Sequence, residues 1–124
     1  MRNIVFHKET KTFHLYNDKI SYIMCVLKNG HMGHLYFGKR IHDKEDFSYL
    51  VEECQRPMTS YIYEGDRKFS LEHIRQEYPV YGTTDYRHPA IEILQKNGSR
   101  ISEFVYEGYE ITAGKVNLQG LPAT

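Results

Sequence analysis

A nine-residue run, Ile20 to Lys28, ends in Asn29-Gly30, and this combination constrains the fold more than any other feature of the chain. Alternate positions give two apolar sets: Ile20, Tyr22, Met24 and Val26 on one side, Ile23, Cys25 and Leu27 with Ser21 on the other. A strand that is apolar on both faces belongs in the middle of a sheet and is covered on each side. Asn-Gly is the favoured pair for a type I′ turn, because both central residues need positive φ. His31 to Gly38 is therefore expected to return antiparallel to the run.

The same grammar extends along most of the chain. Arg2 to His7 and Lys11 to Tyr16 read as two short strands joined by Lys8-Glu9-Thr10, and Asn17-Asp18 supplies the next turn. A second hairpin is expected around Asn97-Gly98, joining Ala90–Lys96 to Ile101–Tyr106, with the chain continuing through Tyr109, Ile111 and Val116. Turn residues recurring at about 8 to 12 positions describe an all-β, antiparallel β-sandwich. Between the hairpins, His42 to Tyr81 carries charge clusters, Pro57 and Pro79 and reads as a long excursion. It holds one or two short helical turns. Asp46 caps a helix through Gln55, with Phe47, Leu50, Val51 and Cys54 on one face, and Ser70 opens a turn to Gln76.

At 124 residues, with no internal repeat or Gly/Ser-rich linker, residues 1–124 read as one domain, too short for a catalytic barrel of about 250 residues. Sixteen basic side chains balance sixteen acidic ones, so no field exists to capture nucleic acid or an anionic membrane. The longest apolar stretch is far below the roughly 20 residues that span a bilayer, and Met1 to His7 has no secretory pattern. A cytoplasmic protein with Cys25 and Cys54 reduced is the expectation. The tail Leu118 to Thr124 is apolar and restrained by Pro122, as though more chain follows.

Signatures of chemistry are sparse. His31 and His34 are three apart, which on a strand places them on opposite faces, so no metal site is expected. Cys25 sits in the most apolar run, and Cys54 follows Glu52-Glu53, whose charges blunt a thiolate. His14 reads as a half-exposed polar position on the second strand. No nucleophile elbow, phosphate loop or dinucleotide fingerprint occurs, so no cofactor is expected. Paired carboxylates about 5 to 9 Å apart suffice for glycoside chemistry, but the acids here fall mostly in mixed-charge loops. The densest segment is Glu77 to Ala90, where Tyr78, Tyr81, Asp85 and Arg87 surround Gly82. Two readings stand for this cluster: sugar binding by Tyr and the Asp/Arg pair, or a loop locked by a buried ion pair.

Phe13-His-Leu, Ser21-Tyr, Gly33-His-Leu-Tyr-Phe-Gly-Lys39, Phe69-Ser-Leu, Glu77-Tyr-Pro-Val-Tyr-Gly-Thr-Thr-Asp-Tyr-Arg87, Asn97-Gly-Ser and Gly114-Lys through Leu118-Gln-Gly-Leu-Pro-Ala-Thr124 carry a resemblance. In this order they resemble the N-terminal region of bacterial family 36 α-galactosidases over almost the whole chain; Asp43 to Tyr63 departs most from that pattern. The resemblance implies part of a β-supersandwich at the start of a longer enzyme, followed by a (β/α)₈ barrel and a smaller β domain. It implies retaining hydrolysis of terminal α-galactosides such as melibiose and raffinose, without metal or cofactor, by two barrel aspartates beyond Thr124. The chain alone is then without catalytic residues. The resemblance also implies a homo-oligomer, tetrameric in the parent enzyme, in which an arginine and an acid from this domain complete a neighbouring subunit's sugar pocket. Arg67 matches the arginine, with Glu53 and Glu52 as candidates for the acid. A stand-alone carbohydrate-binding or structural β-sandwich module is the alternative, weakened by the absence of Trp for sugar stacking.

Overall fold

The computed structural model describes residues 3–55, 57–58, 62–116 and 119–120. Four strands, β1 (Asn3–His7), β2 (Thr12–Tyr16), β3 (Ile20–Val26) and β4 (Met32–Lys39), form one antiparallel meander in the order β1-β2-β3-β4. β3 is thus a central strand, with Phe13 opposite Met24 on one side and Tyr22 opposite Phe37 on the other. The architecture is all-β and of the expected sandwich class, in which these strands supply one sheet. The expected start at Arg2 lies outside the described residues, as does the tail Leu118–Thr124 apart from Gln119 and Gly120.

The turn after β3 differs from the type I′ expectation. Gly30 N–H donates to the Leu27 carbonyl and Leu27 N–H to the His31 carbonyl, enclosing the three residues Lys28, Asn29 and Gly30. Only Gly30 has positive φ, at 86°, so the loop is a tight turn closed by a left-handed glycine. One residue more than expected shifts the return strand to begin at Met32. Further along, Ile23 pairs with Tyr36 and Met24 with His34, which leaves Leu35 as the extra residue of a β-bulge.

One sheet face is buried. Ile23, Cys25 and Leu35 pack with Leu27 against Phe47, Phe69, Leu71 and Ile74 from the 42–81 excursion. Each such side chain contributes about 1.5–3 kcal/mol by leaving water, so the excursion is held by its apolar anchors rather than by regular structure. The expected helix Asp46–Gln55 contracts to a single 3₁₀ turn, Ser48–Leu50. Its N-cap is Phe47, with no side-chain cap; the expected cap Asp46 lies one residue earlier and accepts from Ser48 N–H at 2.7 Å. Val51 then turns extended, and Cys54 N–H donates to the Lys68 carbonyl, a cross-link that a continuing helix would forbid. The Ser70 turn is one i→i+4 bond from Ile74 N–H, with the Ser70 hydroxyl accepting from Glu72 N–H.

The opposite face, bearing Ile4, Phe13, Leu15, Met24 and Tyr22, is covered in part. Tyr109 packs tilted against Phe6 and edge-to-face against Phe13, at ring separations of 4.5 and 5.2 Å, and Ile20 remains exposed. The expected hairpin Ala90–Lys96/Ile101–Tyr106 keeps its turn but forms no strands. Gly98 N–H donates to the Gln95 carbonyl and Gln95 N–H to that of Ser99, the same three-residue loop as at Gly30. Its arms spend backbone donors elsewhere, Ser102 on Tyr81 and Tyr106 on Gly30, and leave Ile91, Leu94, Ile101 and Val105 exposed. Strand propensity is present there without a sheet edge to pair with.

Candidate functional site at the end of the central hairpin

Two segments of the excursion meet beside the β3–β4 turn. Lys28, the first residue of that turn, places its Nζ 3.3 Å from Glu53 Oε1 and in a shorter contact with Asp66 Oδ2. Asp66 Oδ1 accepts from Lys68 N–H at 2.9 Å, which fixes the loop that carries Arg67. The Cys54–Lys68 backbone bond ties the two segments together one residue beyond each functional candidate. The hydrogen bond to Asp66, joined by Glu53, raises the Lys28 ammonium above its ordinary pKa against the opposing effect of burial. The same bond, with the Lys68 amide, lowers Asp66. Both groups are therefore held charged.

Glu53 and Lys28 lie in the wall of an open concavity of about 560 Å³ that also includes Thr10, Thr12 and Tyr49. Arg67 lines a neighbouring one of about 460 Å³ with Tyr63, Glu64 and Asp66. Of the two candidate acids, Glu52 is drawn away, its Oε2 3.9 Å from Arg75 Nε. Glu53 is the one that shares a cluster with the Arg67 loop.

The Glu77–Ala90 segment is a different kind of site. Asp85 is 3% exposed, and its oxygens accept Arg87 Nε at 2.9 Å, Arg87 NH2 at 3.0 Å and Gln76 Nε2 at 2.9 Å. The same guanidinium donates to the carbonyls of Leu71 and Ile74, both at 2.6 Å. These bonds bind the 82–87 loop to the Ser70 turn. Tyr81 joins through its backbone, accepting from Ser102 N–H, whereas the Tyr78 side chain stands in solvent at 64% exposure.

Residues 30–124 match the Glycosyl hydrolase family 36 N-terminal domain. The chain belongs to that family. It is 37% identical over 98% of its length to alpha-galactosidase AgaA of Geobacillus stearothermophilus, covering 17% of that protein. It is 35% identical over 97% of its length to the bifunctional alpha-galactosidase/sucrose kinase AgaSK of Mediterraneibacter gnavus, covering 13%. Among solved structures, the alpha-galactosidase of Lactobacillus brevis superposes with a TM-score of 0.86 at 37% identity, over 96% of this chain and 16% of that one. The chain therefore spans between about one eighth and one sixth of the length of these relatives.

Within this domain, a constellation that sequence reading missed lies on the buried face. His14 is fully buried rather than half exposed, with Nδ1 2.6 Å from Asp43 Oδ1 and Nε2 2.9 Å from Ser21 Oγ. A carboxylate only accepts, so Nδ1 carries the proton and Nε2 accepts from the Ser21 hydroxyl. Hydroxyl, imidazole and carboxylate stand in the order of a hydrolase triad. Ser21 is nonetheless 0% exposed and its Oγ accepts the Ile41 amide at 3.0 Å, so no substrate reaches it. The trio anchors the start of the excursion to the sheet. His14 pairs with Ile23 and Ser21 with Tyr16, so His14 and Ser21 are diagonal neighbours on one face of β2 and β3, a relation invisible until the register is known. His31 and His34 serve separate networks, with Gln76 and Glu103 for the first and Glu77 for the second. Among the described residues, no group of three His, Cys, Asp or Glu side chains is arranged to hold a metal.

Proposed function

We propose that this chain is the non-catalytic amino-terminal part of a cytoplasmic retaining α-galactosidase, and that Arg67 and Glu53 complete the sugar pocket of a neighbouring subunit in its oligomer. The observation that carries the reading is the joining of their two loops at one corner of a rigid sheet. An arginine fork and a carboxylate are the donors and acceptors that vicinal sugar hydroxyls need, and a loop on a rigid scaffold presents them outward. The structure of Geobacillus stearothermophilus AgaA in complex with raffinose, 38% identical over 92% of this chain, supports an α-galactoside such as raffinose or melibiose as the substrate class. The partly covered sheet face and the exposed apolar arms around Asn97-Gly98 suit burial against the remainder of a longer chain. Free Cys25 and Cys54 suit a reducing compartment.

The test begins with the reading frame beyond Thr124. A frame continuing for about a barrel's length, with a product that hydrolyses raffinose, supports the reading; a stop at Thr124 overturns it. In the full-length enzyme, Arg67→Ala is expected to reduce kcat/KM on raffinose by about tenfold or more, the loss of a charged hydrogen bond to substrate, with Tm unchanged. Unchanged kinetics would remove Arg67 from the pocket.

A further inference from the structure

We propose that Lys28 is a positioning residue for that pocket: by bridging the Glu53 and Asp66 carboxylates, it presents Glu53 and the Arg67 loop as one unit. This rests on the reading of Arg67 and Glu53 given above. Three observations carry it. Lys28 is fixed by its place in a hydrogen-bonded turn of the central hairpin, so its ammonium is anchored to the rigid sheet while Glu53 and Asp66 belong to irregular segments. Glu53 is engaged through Oε1, which leaves Oε2 available to a hydroxyl. Lys28 stands in the wall shared with Glu53, and its other partner, Asp66, stands in the wall shared with Arg67, so the ammonium is the link between the two concavities.

Without the cation, two carboxylates face each other across the gap and repel. The Cys54–Lys68 backbone bond still joins the segments. The Lys28 ammonium also lies 6.0 Å from the centroid of the Phe69 ring, but Phe69 and Phe47 are held in the core cluster by Ile23, Cys25, Leu27 and Leu35, so the separation need not unfold anything. The consequence is a substrate-affinity defect rather than a loss of chemistry.

The experiment is steady-state kinetics of the full-length enzyme on raffinose, comparing Lys28→Met, Lys28→Arg, Arg67→Ala and the Lys28→Met/Arg67→Ala double variant. Lys28→Met is expected to raise KM roughly three- to tenfold, the range spanned by one or two exposed ion pairs, with kcat within twofold. Lys28→Arg, whose planar fork also bridges two carboxylates, should restore KM to within twofold. The double variant should be impaired by less than the product of the two single effects, since both act through one unit. An unchanged KM in Lys28→Met, with Arg67→Ala impaired, overturns the positioning role and leaves the pocket reading intact. Unchanged kinetics in both overturn the pocket reading itself, and so does a reading frame that ends at Thr124. A defect that Lys28→Arg does not recover, or one that adds fully to Arg67→Ala, also overturns the proposal. Should Lys28→Met fail to fold, Asp66→Asn keeps the turn acceptor for Lys68 N–H while removing one charge of the bridge, and must raise KM in the same direction.

Discussion

Asp43→Ala isolates the anchor between sheet and excursion. Asp43 Oδ1 accepts from His14 Nδ1 at 2.6 Å and from His7 Nε2 at 3.0 Å. Removing the carboxylate strands the Nδ1–H of an imidazole that is completely buried, at about 1–3 kcal/mol. The His7 ring is partly accessible and can turn to water, so its lost bond adds at most about 1 kcal/mol. The Ser21 hydroxyl still meets His14 Nε2, so no second orphan arises. A local cost of about 1–4 kcal/mol follows, equivalent to roughly 5- to 900-fold in an opening equilibrium. The readout is amide hydrogen exchange in the full-length enzyme at pH 7, followed at Ile41, whose N–H donates to Ser21 Oγ. Exchange at Ile41 should accelerate by that factor while β2 and β3 change little. Acid should act in the same place: burial pushes Asp43 up, but the hydrogen bonds from His14 and His7 outweigh it and hold the carboxyl below its ordinary pKa. A depressed folded pKa contributes stability that is present above about pH 4 and lost as pH falls through the folded value. Protection at Ile41 should hold from pH 7 to about 4 and fall below that. Unaltered exchange in Asp43→Ala, or loss of protection already near pH 6, would refute the anchor.

Arg87→Ala should be the costliest change in the 82–87 loop, at about 3–5 kcal/mol, because it leaves Asp85 buried and short of its cation and takes the donor from the Leu71 and Ile74 carbonyls. Poor expression or a clear drop in unfolding temperature would register it, and a variant of wild-type stability would contradict the ion-pair account. The two thiols should differ in reactivity: burial raises Cys25 to about 11, whereas Cys54 is exposed, so of these two iodoacetamide at pH 8 should label Cys54 and not Cys25 in the folded chain.

The strands were legible because each turn announces itself. Asn17 accepts from the amides of Lys19 and Ile20, and Gly30 supplies the left-handed residue that closes the next loop. The periodicity of β3 located both the buried face and the central position. What misled was local spacing read without tertiary partners. Phe47, Leu50, Val51 and Cys54 fit a helical face, yet Phe47 alone is fully buried, and Cys54 leaves the face to bond Lys68. The arms around Asn97-Gly98 have strand composition, but a strand exists only where an edge accepts its hydrogen bonds, and no local pattern reports that edge. His14 was misplaced for the converse reason. Its burial depends on Asp43, 29 residues away, and a polar residue is inexpensive to bury only when such a partner arrives.

The candidate site was legible only in part, and the missing part is Lys28. In sequence it is an ordinary polar residue before Asn-Gly; its role depends on two acids 25 and 38 residues downstream being folded back to one corner. The same geometry gives Glu52 and Glu53, the two candidates from sequence, different partners, since neighbouring residues of an extended segment point to opposite sides. Arg75 takes one acid and Lys28 the other. The irregularity of the excursion then acquires a reason. A regular helix through residues 46–55 would spend its backbone on itself, whereas the extended exit after Val51 frees the Cys54 amide to hold Lys68. That bond brings the loop of Arg67 against the segment of Glu53 at a rigid end of the sheet, the arrangement on which the proposed contribution to a sugar pocket rests.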